Sequence, residues 1–151
     1  MGDLKLTSSA FSDGGEIPRE CGYKNGNKEQ PLTISGIPEE TASLALIMDD
    51  PDAMGAVGKV WVHWVVWNID PTREFITGNP QELKFVEGMT DVGEVGYGGP
   101  APPDKRHTYV FKLYALDSIL DLPQKSTKAD VEKAMEGHII EQTQLTGTYA
   151  P

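Results

Sequence analysis

The tightest constraint on this chain lies between Leu44 and Ile69, which read LALIMDDPDAMGAVGKVWVHWVVWNI. Leu44 to Met48 is apolar without a break, and so is most of Val60 to Trp67. A strand with one solvated face alternates apolar and polar residues. A strand that is apolar throughout is covered on both faces and lies inside a sheet rather than at its edge. Between the two runs is a loop of acids, Pro and Gly. Each run carries a polar exception: Asp49 and Asp50 close the first, and His63 interrupts the second. A charge at the mouth of a buried strand costs free energy unless it is solvated, paired or used. The stretch therefore reads as a scaffold that holds Asp50 and His63 in a pocket.

The rest of the chain is turn-rich. Sixteen Gly and eleven Pro in 151 residues point to a mainly β architecture with few helices, and the length suits one domain with one core over 1–151. Leu4 and Leu6 alternate with polar residues as a short strand, and Ser12 to Gly15 is a turn. Cys21 to Pro31 is an aperiodic Gly/Asn loop, and Leu32 to Ser35 is a short strand. Beyond Asp70-Pro71, Arg73 to Thr77 reads as a strand and Gly78-Asn79-Pro80 as a turn. Between Gln81 and Tyr97, Gly88, Gly93 and Gly96 argue against a helix. Gly98 to Arg106, GGPAPPDKR, is a rigid loop. His107 to Leu116 alternates as a strand with His107, Tyr109, Phe111 and Leu113 on one face. The one convincing helix begins at Thr127, with Asp130 as capping-box partner. Val131, Met135 and Ile139 form its apolar stripe, joined by Ala134, with Gly137 weakening its middle. Leu145 to Tyr149 reads as a last strand.

Charge and cysteine content remove several function classes. A formal net charge of −10 repels nucleic-acid phosphates and anionic lipid surfaces. No apolar run is long enough to span a bilayer, and MGDLKLTSS has no signal core. Leu6 stands where a myristoylation signal wants Ser or Thr. A cytoplasmic protein with no integral membrane segment is expected. The single Cys21 excludes an internal disulfide and a Cys-based zinc site, and reads as an inert thiol.

His63, on period-2 parity, shares a face with Trp61, Val65 and Trp67; its plain reading is a hydrogen-bonded core histidine. His107 reads equally as a loop-end histidine, and Asp50 as a cap of the Pro51-Asp52 turn. All three lie at strand ends beside Gly/Pro loops, where sites are commonly built. Asp with two His fits a two-His-one-carboxylate metal site, but no His-x-His or His-Glu-x-x-His spacing supports one. It also fits capture of an anion by imidazole N–H, tyrosine O–H and loop N–H groups, with a carboxylate raising a histidine's proton affinity. No G-x-S-x-G, G-x-G-x-x-G or Walker loop occurs, so neither an activated serine nor a nucleotide cofactor is indicated.

Taken together, MDDPDA, VWVHWVVWNI and YGGPAPPDKRHTYVFKLYALD resemble the signature regions of the phosphatidylethanolamine-binding protein, or Raf kinase inhibitor protein, family. The opening LKLTSSAFSDGGEIP and the closing LTGTYAP resemble its compact bacterial and archaeal branch. The resemblance implies a large central β-sheet packed on a smaller sheet with a helix toward the C-terminus. It implies a pocket for phosphate-type anions, including phospholipid headgroups, lined by Asp50, His63, His107 and Tyr109. Its walls would be Pro51, Trp61, Gly99, Ala101 and Pro103, with Asp52 serving the loop. Met54 departs from the proline common after Asp-Pro-Asp-Ala, and Thr108 from the arginine usual between the histidine and tyrosine.

The expected function is a non-enzymatic module that binds a small phosphate- or carboxylate-bearing ligand, with no cofactor, metal or catalytic residue. Family members act on kinases and serine proteases, so a regulated kinase or protease is the partner class the resemblance implies; related bacterial proteins also pair as homodimers. The alternatives are an enzyme, metal-assisted or a His-based hydrolase using the same pocket, and a scaffold with a vestigial pocket.

Overall fold

A strand apolar on both faces needs two covers, and the fold supplies them. The computed structural model describes residues 3–72, 76 and 85–151. Its elements are β1 (Lys5–Thr7), β2 (Gly15–Glu16), a 3-10 turn (Arg19–Cys21), β3 (Thr33–Ser35), β4 (Ser43–Asp50), α1 (Ala53–Val57), β5 (Trp61–Ile69), β6 (Val86–Glu87), β7 (His107–Leu116), α2 (Lys128–Met135) and β8 (Ile139–Tyr149). The large sheet runs β2-β8-β7-β4-β5-β6, and β1 pairs with β3 in a separate two-stranded sheet. Pairing is antiparallel except for β2 with β8.

All eight residues of β4 are buried between β5 and β7. On one face Leu44, Leu46 and Met48 pack with Trp64, Phe111 and Leu113, and with Leu6 and Ile34 of the small sheet. On the other, Ala45 and Ile47 pack with Val65 and Trp67, and with Val131 and Met135 of α2. Each such side chain removed from water contributes about 1.5–3 kcal/mol, so two apolar layers clasp the strand that ends in Asp49 and Asp50. The mainly β fold, with its large and small sheets, agrees with the expectation from sequence.

Three expectations change. The late helix starts as predicted: Asp130 N donates to Thr127 Oγ1 (3.3 Å) and Thr127 N to Asp130 Oδ2 (2.9 Å). It stops at Met135, however, and Gly137, at φ +79°, turns the chain beyond the helix instead of weakening its middle. Ile139 accordingly opens β8, half-exposed, and the last strand runs from there rather than from Leu145. A helical period across a glycine is broken when the left-handed backbone at that glycine ends the helix. Second, α1 is an additional helix of five residues, AMGAV, too short to leave a periodic signal. Third, the two-residue strands β2 and β6 were not anticipated. The strand expected over 73–77 and the turn at 78–80 lie outside the described residues, apart from Ile76. No helix among the described residues is long and apolar enough to cross a membrane.

Consecutive strand residues point to opposite faces, and this separates the two acids that close β4. Asp49 turns toward α2, where its Oδ2 meets Lys128 Nζ (2.8 Å) and Lys112 Nζ (3.2 Å). It belongs to the frame: one buried carboxylate ties β4, β7 and α2 together. Asp49→Ala is expected to destabilise the fold by about 2 kcal/mol, the scale of hydrogen bonds to a charged group, as read by urea unfolding. A loss within about 0.5 kcal/mol, the level of a neutral surface change, would show that the lysines stay solvated without it.

Candidate functional site

The site depends on a break in strand register. β4 and β5 pair Met48 with Trp64 but Asp49 with Val62, so His63 is the extra residue of a β-bulge. Simple alternation put His63 beside Trp61, Val65 and Trp67; the bulge overturns that placement for Val65 and Trp67, while Trp61, two residues before His63 in unbroken alternation, keeps its face. Val65 and Trp67 stay on the α2 side. The His63 ring instead meets Tyr109 edge-on, with centroids 5.2 Å apart and planes at 81°, in the layer toward the small sheet. His63 Nδ1 hydrogen-bonds the Gly98 carbonyl at 2.8 Å, and Gly98 N donates to the His63 carbonyl at 2.8 Å. A carbonyl only accepts, so Nδ1 carries the proton and the neutral ring keeps its lone pair on Nε2. Burial is the largest influence on this imidazole. It holds the pKa below the ordinary 6.5 despite the Gly98 carbonyl and Asp50.

β7 presents the other half. Its alternation holds as predicted, with His107, Tyr109, Phe111 and Leu113 all buried on one face. His107 is fully engaged. Its Nδ1 hydrogen-bonds Asp50 Oδ2 at 2.6 Å and its Nε2 hydrogen-bonds Asp104 Oδ1 at 2.7 Å. Burial opposes charge on this ring, but the two carboxylates outweigh it and raise the pKa above 6.5. The imidazole is therefore held toward its cationic form, with both nitrogens donating. Asp104, in return, has its pKa lowered, chiefly by the hydrogen bond to His107. Asp50 does a second job: its Oδ1 accepts from Ala53 N at 3.2 Å, so the turn-cap reading and the site reading are both true of one side chain.

Tyr109 Oη is buried and completes no hydrogen bond of normal geometry among the described residues, although the Asp50 carboxylate and the Ala101 backbone are close enough to influence it. Burial and the Asp50 carboxylate push its pKa well above the usual 10. It is a donor with no well-formed bond among the described residues, beside the Asp50–His107 pair.

The loop between these strands is held from outside. Gly99 N donates to Asn27 Oδ1 (2.7 Å), Asn27 Nδ2 donates to the Tyr97 carbonyl (3.1 Å), and Tyr23 N donates to the Pro100 carbonyl (2.9 Å). A Cβ on Gly99 would lie 2.0 Å from the Cys21 carbonyl oxygen, so the aperiodic Gly/Asn segment and the Gly98 loop approach too closely for a side chain. Asp52 serves the loop: its Oδ2 accepts from Thr108 N at 2.8 Å. The residue that departs at 108 thus contributes its backbone, and Arg106 pairs outward with exposed Glu16. All described peptide bonds are trans, and Met54 sits exposed within α1.

The four expected polar residues converge, but they are closed off. Asp50, His63, His107 and Tyr109 are each at most 5% exposed. Of the expected walls, Pro51 is exposed and Trp61 half-buried. Gly99 is packed against the Cys21–Tyr23 segment. Ala101 and Pro103 line a separate cavity of about 250 Å³ with Arg19, Lys24 and Tyr149, which none of the four polar residues lines. Asp104, Gly98 and Asn27 were missed from sequence. Asp104 had a readable signal, an acid three residues before a histidine in a rigid loop; the Gly98 carbonyl and Asn27 act through backbone proximity and had none.

Opposite shifts at the two histidines have opposite signs in stability. His63 must stay neutral, so its contribution is present above pH 6.5 and is lost as pH falls toward its depressed pKa. His107 gains from its charge, so its contribution is present below pH 6.5 and is lost as pH rises through its raised pKa. Imidazole NMR titration should find His107 titrating above 6.5 and His63 below it; the reverse order would refute the assignment of charge.

Comparison with known proteins bears on the family and the fold. Residues 7–150 match the family model described as phosphatidylethanolamine-binding protein. The chain is 43% identical over 151 residues to a UPF0098 protein of Methanothermobacter thermautotrophicus, covering 97% of this chain and 98% of that one. A Chlamydia muridarum relative is 41% identical over 148 residues, with the same coverage of each chain. Among solved structures, a phosphatidylethanolamine-binding protein homologue from Chlamydia trachomatis superposes with a TM-score of 0.90 at 37% identity, covering 99% of this chain and 98% of that one. YbcL of Escherichia coli gives 0.87 at 31%, covering 98% of each. From one end of the match to the other, the chain belongs to the phosphatidylethanolamine-binding protein family.

Proposed function

We propose that this chain is a non-enzymatic binding module whose cluster of Asp50, His63, His107 and Tyr109 holds the acid group of a small phosphate- or carboxylate-bearing ligand. The observation that carries the reading is the state of His107. A buried carboxylate fixes its inner nitrogen and favours the imidazolium, so the outer N–H is an oriented, charge-assisted donor. Such hydrogen bonds are roughly twice as strong as neutral ones. A carboxylate of the chain's own already rests on that donor at 2.7 Å, which supports the reading. Tyr109 Oη adds a second donor that completes no hydrogen bond of normal geometry among the described residues.

The same facts weigh against base catalysis. A general base works best near its operating pH in the unprotonated form, and the carboxylates on His107 favour the protonated one. The described ring partners of His63 and His107 are a carbonyl and two carboxylates, not a hydroxyl or thiol to activate. The Cys21 thiol is buried and pushed up to about 11, poorly suited to a nucleophile. A kinase or serine protease enters this reading as the carrier of such an acid group.

Titration with inorganic phosphate or phosphoethanolamine is expected to shift amide resonances of Gly98 to Tyr109 and those around Asp50. His107→Gln keeps a donor but loses the charge, and should weaken binding about tenfold, the low end for a hydrogen bond to a charged group. Shifts confined to the Lys112–Lys128 surface, or unchanged affinity in a folded His107→Gln protein, would count against the pocket.

A further inference from the structure

The least expected contact in the molecule is on the outer nitrogen of His107. The side chain of His107 is 0% exposed, whereas that of Asp104, which covers its Nε2, is 45% exposed. The contact is therefore between a fixed buried donor and a carboxylate on the rim. The donor cannot turn away, because Nδ1 is held by Asp50 at 2.6 Å. The carboxylate can. Asp104 has no described ion pair besides His107, and its other described side-chain hydrogen bond is local, from Lys105 N to the same Oδ1 at 2.9 Å. Arg106, its near neighbour in the loop, is committed to Glu16.

We propose that Asp104 is an intramolecular stand-in for the ligand, its carboxylate occupying the place on His107 Nε2 that an incoming acid group takes, so that ligands bind by displacing it. This rests on the anion-binding reading above and sets its selectivity. Asp104 lies three residues from His107 in the chain, and a group tethered by a short linker competes at an effective concentration in the millimolar range or higher. A free monocarboxylate offers His107 nothing that Asp104 does not already supply, so it is excluded at ordinary concentrations. A phosphate or phosphomonoester brings more charge and a third acceptor oxygen, which can also reach Tyr109 Oη. The device thus converts a general acid-group site into one that prefers phosphate. Displacement also frees a rim carboxylate into water, where its solvation replaces the lost hydrogen bond.

The test compares wild-type protein with Asp104→Ala and Asp104→Asn, titrated with inorganic phosphate and separately with sodium acetate. Binding is read from the amide shifts of Thr108 and Tyr109 and from the His107 ring resonances. The titrations run in about 0.5 M NaCl, where long-range charge effects are screened within a few ångströms. The side chain is half-exposed, so these variants are expected to fold. Asp104→Ala should bind phosphate at least about tenfold more tightly than wild type and should acquire measurable acetate binding that wild type lacks. Asp104→Asn, which keeps a neutral acceptor for Nε2, should fall between them. Equal phosphate affinity in wild type and Asp104→Ala, with His107 responding in both, would overturn the displacement while leaving the anion reading intact. Phosphate binding by neither protein would overturn both.

Discussion

The hydrogen bond between Asp50 and His107, 2.6 Å long and nearly out of contact with solvent, is the interaction around which the site is arranged. It joins the last residue of β4 to the first of β7. Each partner would be expensive alone: removing one side of a buried charged pair typically costs about 3–5 kcal/mol because the other is left uncompensated. Together they set the ring's orientation, supply its charge and leave one donor facing outward. The surrounding features place the partners of this pair. Asp52 holds the start of β7 through Thr108 N, and Ala53 N completes the coordination of Asp50.

The two histidines are matched by opposition. His107 is flanked by carboxylates and favours charge; His63 faces a carbonyl and an aromatic edge and favours neutrality. One imidazole thus presents a cationic donor and the other a lone pair within the same small cluster. Under the anion-binding reading proposed above, that combination suits an acid group that brings a proton of its own, such as a phosphate monoanion, better than a bare spherical anion. The rigidity behind it comes from the sheet on one side and from the Cys21–Asn27 segment on the other. The latter uses the absence of a side chain at Gly99 to approach the loop directly.

Much of this arrangement was legible in the residues. The unbroken apolar runs identified central strands with two covers, the alternation after His107 identified the face of β7, and Thr127 with Asp130 identified the start of α2. Asp50, His63, His107 and Tyr109 were named as a group because three segments carried a family's motifs. What escaped had a local physical cause. His63 lies on the face opposite to its parity because one extra residue in β5 shifts register, and a bulge of ordinary side chains leaves no periodic trace. The helix end at Met135 was obscured because Ile139, in register with the helical stripe, belongs to a strand across Gly137. Asp104 lies in a loop legible only as rigid, and its contact with His107 depends on that loop folding back over the ring.

In the proposed reading His107 is an imidazolium clamped by Asp50 whose outer nitrogen receives an acid group. A crystal structure of the protein grown or soaked in phosphate near neutral pH decides this. Phosphate density is expected within hydrogen-bond distance of His107 Nε2 and Tyr109 Oη, with the Asp50 contact intact and the Asp104 carboxylate turned into solvent. A phosphate bound elsewhere while Asp104 stays on His107, or a His107 ring rotated away from Asp50, would contradict it.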